Sequence, residues 1–229
     1  MSVTRPRAAI GPLGLPREPR RVVIADDHPF YRAGLAGMLE RSGIEVVAEV
    51  PNGEAAIRAV EQTAPDVVVM DLNMPGVSGL EATRQLADRA PASRVLVLSV
   101  SAEDADVTDA ILAGASGYVL KDSPVEEIVA AIDAIACGRS LISPRIAQML
   151  LRRLGLDDGV EHELASVRLS PRERAVLELM AEGQTDHEIA GVLELDAAVV
   201  RNSLSSVLLK LQTGNRVRTA MRGFDGAKD

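Results

Sequence analysis

The sequence predicts a doubly wound α/β domain on a five-stranded parallel sheet, followed by a small all-α domain. Three observations carry this prediction. The chain has 229 residues, which suits two small domains. Between residues 21 and 138, short β-branched runs alternate with helical stretches of about ten to fifteen residues, the pattern of a parallel sheet covered by helices. Beyond about residue 166 the strand pattern disappears and helix-capping signals take over.

Residues 1–20 are rich in Pro, Arg and Gly without periodicity and read as a disordered tail. Strands are expected at Arg21–Ala25, Glu45–Val50, Asp66–Met70, Arg94–Ser99 and Gly117–Leu120. Among the helices between them, Asn52 is placed to cap the one beginning GEAAIRAVEQ. Ser123, Pro124 and Glu126 fit an N-cap, a first-turn proline and a capping-box acid, for a helix that runs to about Cys137 and stops at Gly138. Residues 139–165 read as a linker with a short helix from Ser143 to Leu154, broken by Gly155, Asp157, Asp158 and Gly159. From 166 to 229, Ser170-Pro171-Arg172-Glu173 opens a helix to about Glu182. Thr185 and Glu188 box a short one to about Leu193, and Asp196 caps a third reaching Leu211. Short helix, tight turn and longer helix make a helix-turn-helix.

Charge is unevenly distributed. Residues 1–21 are net +4, 22–139 net −11, 140–165 net −1 and 166–229 neutral. The acidic block argues against nucleic acid touching the α/β domain and suits a cationic ligand. The single Cys137 excludes an internal disulfide and is expected to be a buried structural thiol in a reducing cytoplasm. No apolar run approaches the roughly 18 residues of a membrane span, so a soluble, unexported protein is expected.

The strand ends carry the chemistry. The run Val67-Val68-Val69-Met70 reads as a strand buried on both faces, yet it ends on Asp71; the first strand ends on Asp26 and Asp27. With strand order 2-1-3-4-5, the first and third strands are neighbours, and three carboxylates converge at the carboxyl rim where such sheets bind ligands. Two like charges ~4 Å apart cost on the order of 4 kcal/mol at an effective dielectric near 20. A bound divalent cation or a raised pKa would relieve this, and an all-oxygen set suits Mg²⁺. Ser99 and Lys121 end the fourth and fifth strands and suit phosphate oxygens. A carboxylate beside Mg²⁺, a lysine and a hydroxyl is equipped to take a phosphoryl group as an acyl phosphate.

At Asp26-Asp27, "MDLNMPG", "VLVLS" and "GYVLKD", residues 21–137 resemble a response-regulator receiver domain, of the flavodoxin-like fold. The resemblance implies Asp71 as phosphoacceptor, with Asp26, Asp27, Asp71 and the backbone carbonyl of Asn73 holding Mg²⁺. It also implies Lys121 on the phosphoryl group and Ser99 with Tyr118 as a switch pair, Ser replacing the commoner Thr. Phosphohydrolases that use a strand-end Asp resemble D-x-D, with a second acid to protonate the leaving group; here that position is Asn73, an amide, so the general acid of that class is missing.

Residues 166–224 resemble a LuxR-type helix-turn-helix, and the combination resembles the NarL/FixJ class of response regulators. Independently, Val200, Leu204, Val207, Leu208 and Leu211 form one apolar face, leaving Arg201, Asn202 and Ser205 to face outward. Arg can pair with guanine and Asn with adenine in a major groove. The resemblance makes Arg201, Asn202 and Ser205 groove-facing, and Arg216 and Arg218 are candidate phosphate contacts. This chain departs from the usual Thr-Val-Lys-x-His with Val199-Val200-Arg201-Asn202-Ser203, and from the usual Lys-Leu-Gly turn with Lys210-Leu211-Gln212. Because phosphate neutralisation supplies much of protein–DNA affinity, a neutral domain is expected to bind weakly as a monomer and to depend on dimerisation. The implied protein is a cytoplasmic transcriptional regulator rather than an enzyme. Its implied partners are a sensor histidine kinase, promoter DNA and, on phosphorylation, a second copy of itself, with no membrane. The alternative is a phosphorylation-gated protein-interaction adaptor with a degenerate helix-turn-helix, which would lack a steep salt dependence on DNA.

Overall fold

The computed structural model describes residues 19–100, 104–139, 141–154 and 167–225, with side chains only to 216 at the C-terminal end. Five strands, β1 (Arg21–Ala25), β2 (Glu45–Val50), β3 (Val67–Met70), β4 (Arg94–Ser99) and β5 (Gly117–Leu120), form one sheet of order β2-β1-β3-β4-β5. Their aliphatic composition is why: β-branched and leucine side chains fit a pleated layer covered by helices, and all four residues of β3 are buried. β1 pairs in parallel with β3 from Val22 opposite Val67 to Ala25 opposite Met70, so these two strands end level. Asp66 stands just outside β3, where its Oδ2 accepts the backbone N–H of Arg21 at 2.9 Å.

Helices α1 (Pro29–Arg41), α2 (Gly53–Thr63), α3 (Gly79–Arg89), α4 (Asp104–Ala113) and α5 (Val125–Ala136) alternate with the strands. Asn52 caps α2 by accepting from Ala55, as expected, and Ser78 does the same for α3 with Glu81. At α5 the structure corrects the expectation. Pro124, not Ser123, occupies the cap position, and no side chain closes that end. Cys137 is corrected too: it is exposed just after α5, with Arg20 Nη2 3.1 Å from its sulfur. The α5 stripe of Ile128, Ala131, Ile132 and Ile135 turns inward and leaves position 137 outside. Gly138 takes φ +75°, the left-handed conformation that ends a helix.

The chain divides into two compact units, residues 1–100 with 119–138, and residues 101–118 with 139–229. The first holds the strand ends treated below. The second contains α4, α6 (Pro144–Arg153), α7 (Pro171–Ala181), α8 (Asp186–Val192) and α9 (Ala197–Asp225). Ser143 caps α6, and full capping boxes open α7 (Ser170/Glu173) and α8 (Thr185/Glu188), as the sequence predicts. α6 packs Ile146, Ala147 and Leu150 inward, as does Leu154 just after it, Gln148 donates to the carbonyl of Ala181 (2.8 Å), and Arg153 pairs with Asp109 of α4 (3.1 Å). The third helix of the motif does not stop at Leu211. α9 continues to Asp225, because Gln212 stands where a glycine would release the backbone and its amide is used instead: Nε2 donates to the carbonyls of Ile111 (3.0 Å) and Ala115 (3.1 Å) near the end of α4. Residues 1–18 of the expected tail and the breakers at 155, 157, 158 and 159 lie outside the described residues. Among those described, no helix is long and apolar enough to cross a membrane.

Candidate functional site

The level ends of β1 and β3 set the site. The chain leaves Ala25 and Met70 side by side, with the N–H of Asp71 on the carbonyl of Ala25 (2.8 Å), so Asp26 and Asp71 emerge as neighbours. Both carboxylates are buried, while Asp27 is half-exposed. Lys121 follows β5, its backbone N–H bonded to the carbonyl of Ser99 at 2.9 Å. Its Nζ lies between the two buried acids, 2.6 Å from Asp26 Oδ2 and 2.9 Å from Asp71 Oδ2. Ser99 is fully buried at the end of β4, Tyr118 is half-buried on β5, and Asn73 is exposed, its N–H 3.4 Å from Asp71 Oδ1.

One ammonium shared by two buried carboxylates leaves them under-compensated. Burial pushes the Asp71 carboxyl above its ordinary value, and Asp26 adds to the rise against the pull of Lys121. Burial alone would lower Lys121, yet its bonds to Asp26 and Asp71 hold it above the ordinary lysine value. A divalent cation would relieve the same imbalance. Ligand atoms of Asp26, Asp27, His28 and Asp71 all lie within 4.8 Å of one another. Oδ1 of Asp27 is buried without a well-directed hydrogen bond, although His28 Nδ1 lies 2.7 Å away. Three hard oxygen donors with one acceptor unspent fit Mg²⁺ chemically.

The loop after Asp71 is held by two close approaches. A Cβ on Gly79 would meet the carbonyl oxygen of Asp71 at 1.8 Å, and one on Gly53 would meet that of Val77 at 2.4 Å. Gly79 therefore lets the start of α3 press against the backbone that carries the acid. Sequence reasoning passed over both glycines, whose only signal was their position at helix starts. It also missed Tyr31 on α1. The Tyr31 hydroxyl donates to the backbone carbonyl of Lys121 (3.3 Å), and its ring centroid lies 4.9 Å from Lys121 Nζ. Burial, then the charges of Asp26 and Asp71, push this phenol up to about 12, so it remains a donor.

In the helical unit, Val200, Leu204, Val207, Leu208 and Leu211 are buried, as their spacing predicts. Asn202 is exposed, and Arg201 and Ser205 are half-exposed. Arg201 is engaged by Asp186 of α8 (3.6 Å). Arg216 is half-exposed, and the Arg218 side chain lies outside the described residues. Beneath α9, buried Glu173 accepts from Ser206 (2.6 Å), Lys210 (2.6 Å) and the N–H of Ser170 (2.6 Å). The α8–α9 turn passes through Glu194 at φ +54°.

Residues 22–133 match the family described as response regulator receiver domain, and residues 167–222 match bacterial regulatory proteins, luxR family. The transcriptional regulatory protein DegU of Brevibacillus brevis is 35% identical over 218 residues, covering 89% of this chain and 92% of DegU. The nitrate/nitrite response regulator NarL of Escherichia coli K12 is 34% identical over 206 residues, covering 90% and 95%. Among solved structures, a complex of the two-component response regulator RcsB with DNA superposes with a TM-score of 0.52 at 27% identity, covering 85% of this chain and 92% of that one.

Proposed function

The chain belongs to the response regulators that join a receiver domain to a LuxR-type DNA-binding domain, and from that premise we propose that Asp71 accepts a phosphoryl group from a sensor histidine kinase, promoting dimerisation and promoter binding. The reading extends to domains at 21–138 and 166–229 and to action in the cytoplasm. The observation that carries it is the convergence of Asp26, Asp27 and Asp71 with Lys121 bridging two of them.

In the transfer, an ionised Asp71 oxygen attacks phosphorus, the P–N bond of the phosphohistidine breaks, and its electron pair returns to the imidazole. Asp26, Asp27, Asp71 and the carbonyl of Asn73 would hold Mg²⁺, which when bound supplies charge neutralisation to the phosphoryl oxygens. The Lys121 ammonium leaves Asp26 and pairs with a phosphoryl oxygen, and the Ser99 hydroxyl donates to another. Ser99 moving inward leaves space that Tyr118 follows, which alters the surface around β4 and β5. On DNA, Arg201, Asn202 and Ser205 meet base edges, and Arg216 and Arg218 meet phosphates.

Labelling tests the acceptor. With radiolabelled acetyl phosphate and Mg²⁺, the wild type takes up a base-labile label, while chelation of Mg²⁺ or Asp71→Asn prevents uptake. Equal label on Asp71→Asn would move the acceptor elsewhere.

A further inference from the structure

We propose that Tyr31 is a positioning residue that holds the Lys121 ammonium on the phosphoryl side of the site once a cation occupies Asp26; this rests on the reading of Asp71 as phosphoacceptor. Lys121 stands in a conflict that its two carboxylates create. Its shorter contact, 2.6 Å, is with Asp26, a carboxylate that would help to hold a divalent cation, and its longer one, 2.9 Å, is with Asp71. With a cation held by Asp26, Lys121 would lose that carboxylate as a partner and its ammonium would be displaced from it. Four flexible bonds then let it move, since a lysine is a point charge on a loose stem.

Two directions are open to it. One leads toward Asp71 and an incoming phosphoryl group. The other leads outward, into an open cavity of about 580 Å³ whose lining includes Phe30, Tyr31 and Val100 and also Asp122, a carboxylate that would draw the ammonium that way. Phe30 is 93% and Val100 77% exposed, so among the described residues these two leave that wall open to solvent. Tyr31 is the group that opposes this loss. Its hydroxyl fixes the lysine's own carbonyl (3.3 Å), and its ring lies 4.9 Å from Nζ, within the range at which an ammonium is attracted to an aromatic face. Tyr31 therefore holds the lysine at its backbone carbonyl and at its ammonium, and its role is to position that group. A leucine of similar bulk would fill the wall and offer the ammonium nothing.

The test uses the full chain and beryllofluoride, a tetrahedral stand-in for the phosphoryl group, followed by ¹⁹F NMR in the presence of Mg²⁺. Tyr31→Leu is expected to weaken beryllofluoride binding about fivefold to tenfold and leave the Mg²⁺ midpoint within about twofold. Tyr31→Phe, which keeps the ring, is expected to recover most of the loss. The decisive comparison is made on Lys121→Met, where Tyr31→Leu should add less than about a 1.5-fold loss, because its effect runs through the missing ammonium. An equal loss in both backgrounds, or full binding by Tyr31→Leu, overturns the proposal. Melting temperatures accompany each variant, and Tyr31→Met replaces the leucine variant if that one is destabilised. Failure of the underlying reading looks different: Asp71→Asn would then take up beryllofluoride as the wild type does.

Discussion

Glu173 illustrates how a single side chain ties a helical motif together. Burial alone would raise its carboxyl, but the bonds from Lys210, Ser206 and Ser170 overcome that and hold it down at about 2. The same carboxylate closes the α7 capping box through the Ser170 N–H and anchors the middle of α9 through Lys210. Its folded value lies below the unfolded one, near 4.5, so the stabilisation is fully present above about pH 4.5 and is lost as the pH falls toward 2. A shift of that size corresponds to roughly 2 to 3 kcal/mol once the partial exposure of Lys210 is discounted. Glu173→Gln should therefore lower the unfolding free energy at pH 7 by about that amount and flatten its dependence between pH 4.5 and 2. Urea titrations across that range would measure it, and a variant with wild-type acid sensitivity would show that another carboxylate dominates.

At the scale of elements, α9 is the instructive case. Its first half obeys the sequence pattern, with an apolar face at helical spacing, while its second half exists because no glycine stands at position 212. The Gln212 amide reaches carbonyls 111 and 115, and Asn215 reaches that of Leu112 at 3.2 Å, so α9 supplies donors to the orphaned C-terminal end of α4. Gly214 does occur inside the helix, at a cost of about 1 kcal/mol relative to alanine. A Cβ there would meet the Val167 side chain at 2.4 Å, so close approach is what retains it. Gln212→Ala should remove two bonds worth about 1 kcal/mol each and raise amide hydrogen exchange in α4 several-fold, with α7 and α8 little changed. Unaltered exchange in α4 would mean that the capping contacts carry no stability.

For the whole molecule, charge sets the terms. The stretch from 22 to 139 is net −11 and that from 166 to 229 is neutral, so the DNA-binding half brings no surplus of cations to a polyanion. Arg201 is moreover engaged by Asp186. Two weak half-site contacts joined in one dimer bind through a high effective concentration, so dimerisation is the economical route to affinity. The unphosphorylated chain should sediment as a monomer and protect DNA poorly, and the phosphorylated chain should form a dimer protecting a two-half-site operator. Arg201→Ala should lower operator specificity by ~1 to 3 kcal/mol without altering sedimentation. Equal protection with and without phosphate would show that Asp71 does not control DNA binding.

What the sequence determined by itself is whatever a few adjacent residues decide. The capping boxes at Ser170 and Thr185 close over three residues, and the apolar face of α9 repeats within each turn, so both were legible. Asp26 and Asp71 were legible because each follows a buried run, and the parallel register that sets Ala25 opposite Met70 brings the two strand ends level. The tertiary structure alone decided what depends on which side chains meet across the chain. Tyr31 finds Lys121 from 90 residues away and Gln212 finds Ile111 from 101, and neither pairing leaves a periodic trace. Cys137 was misread because its neighbours are apolar, while exposure follows from which side of α5 packs inward. The glycines at 53 and 79 looked like helix starts; only the backbone facing them shows why a side chain has no room. Local hydrogen bonding and periodicity are written in sequence order, whereas packing between distant elements is fixed only when the chain closes on itself.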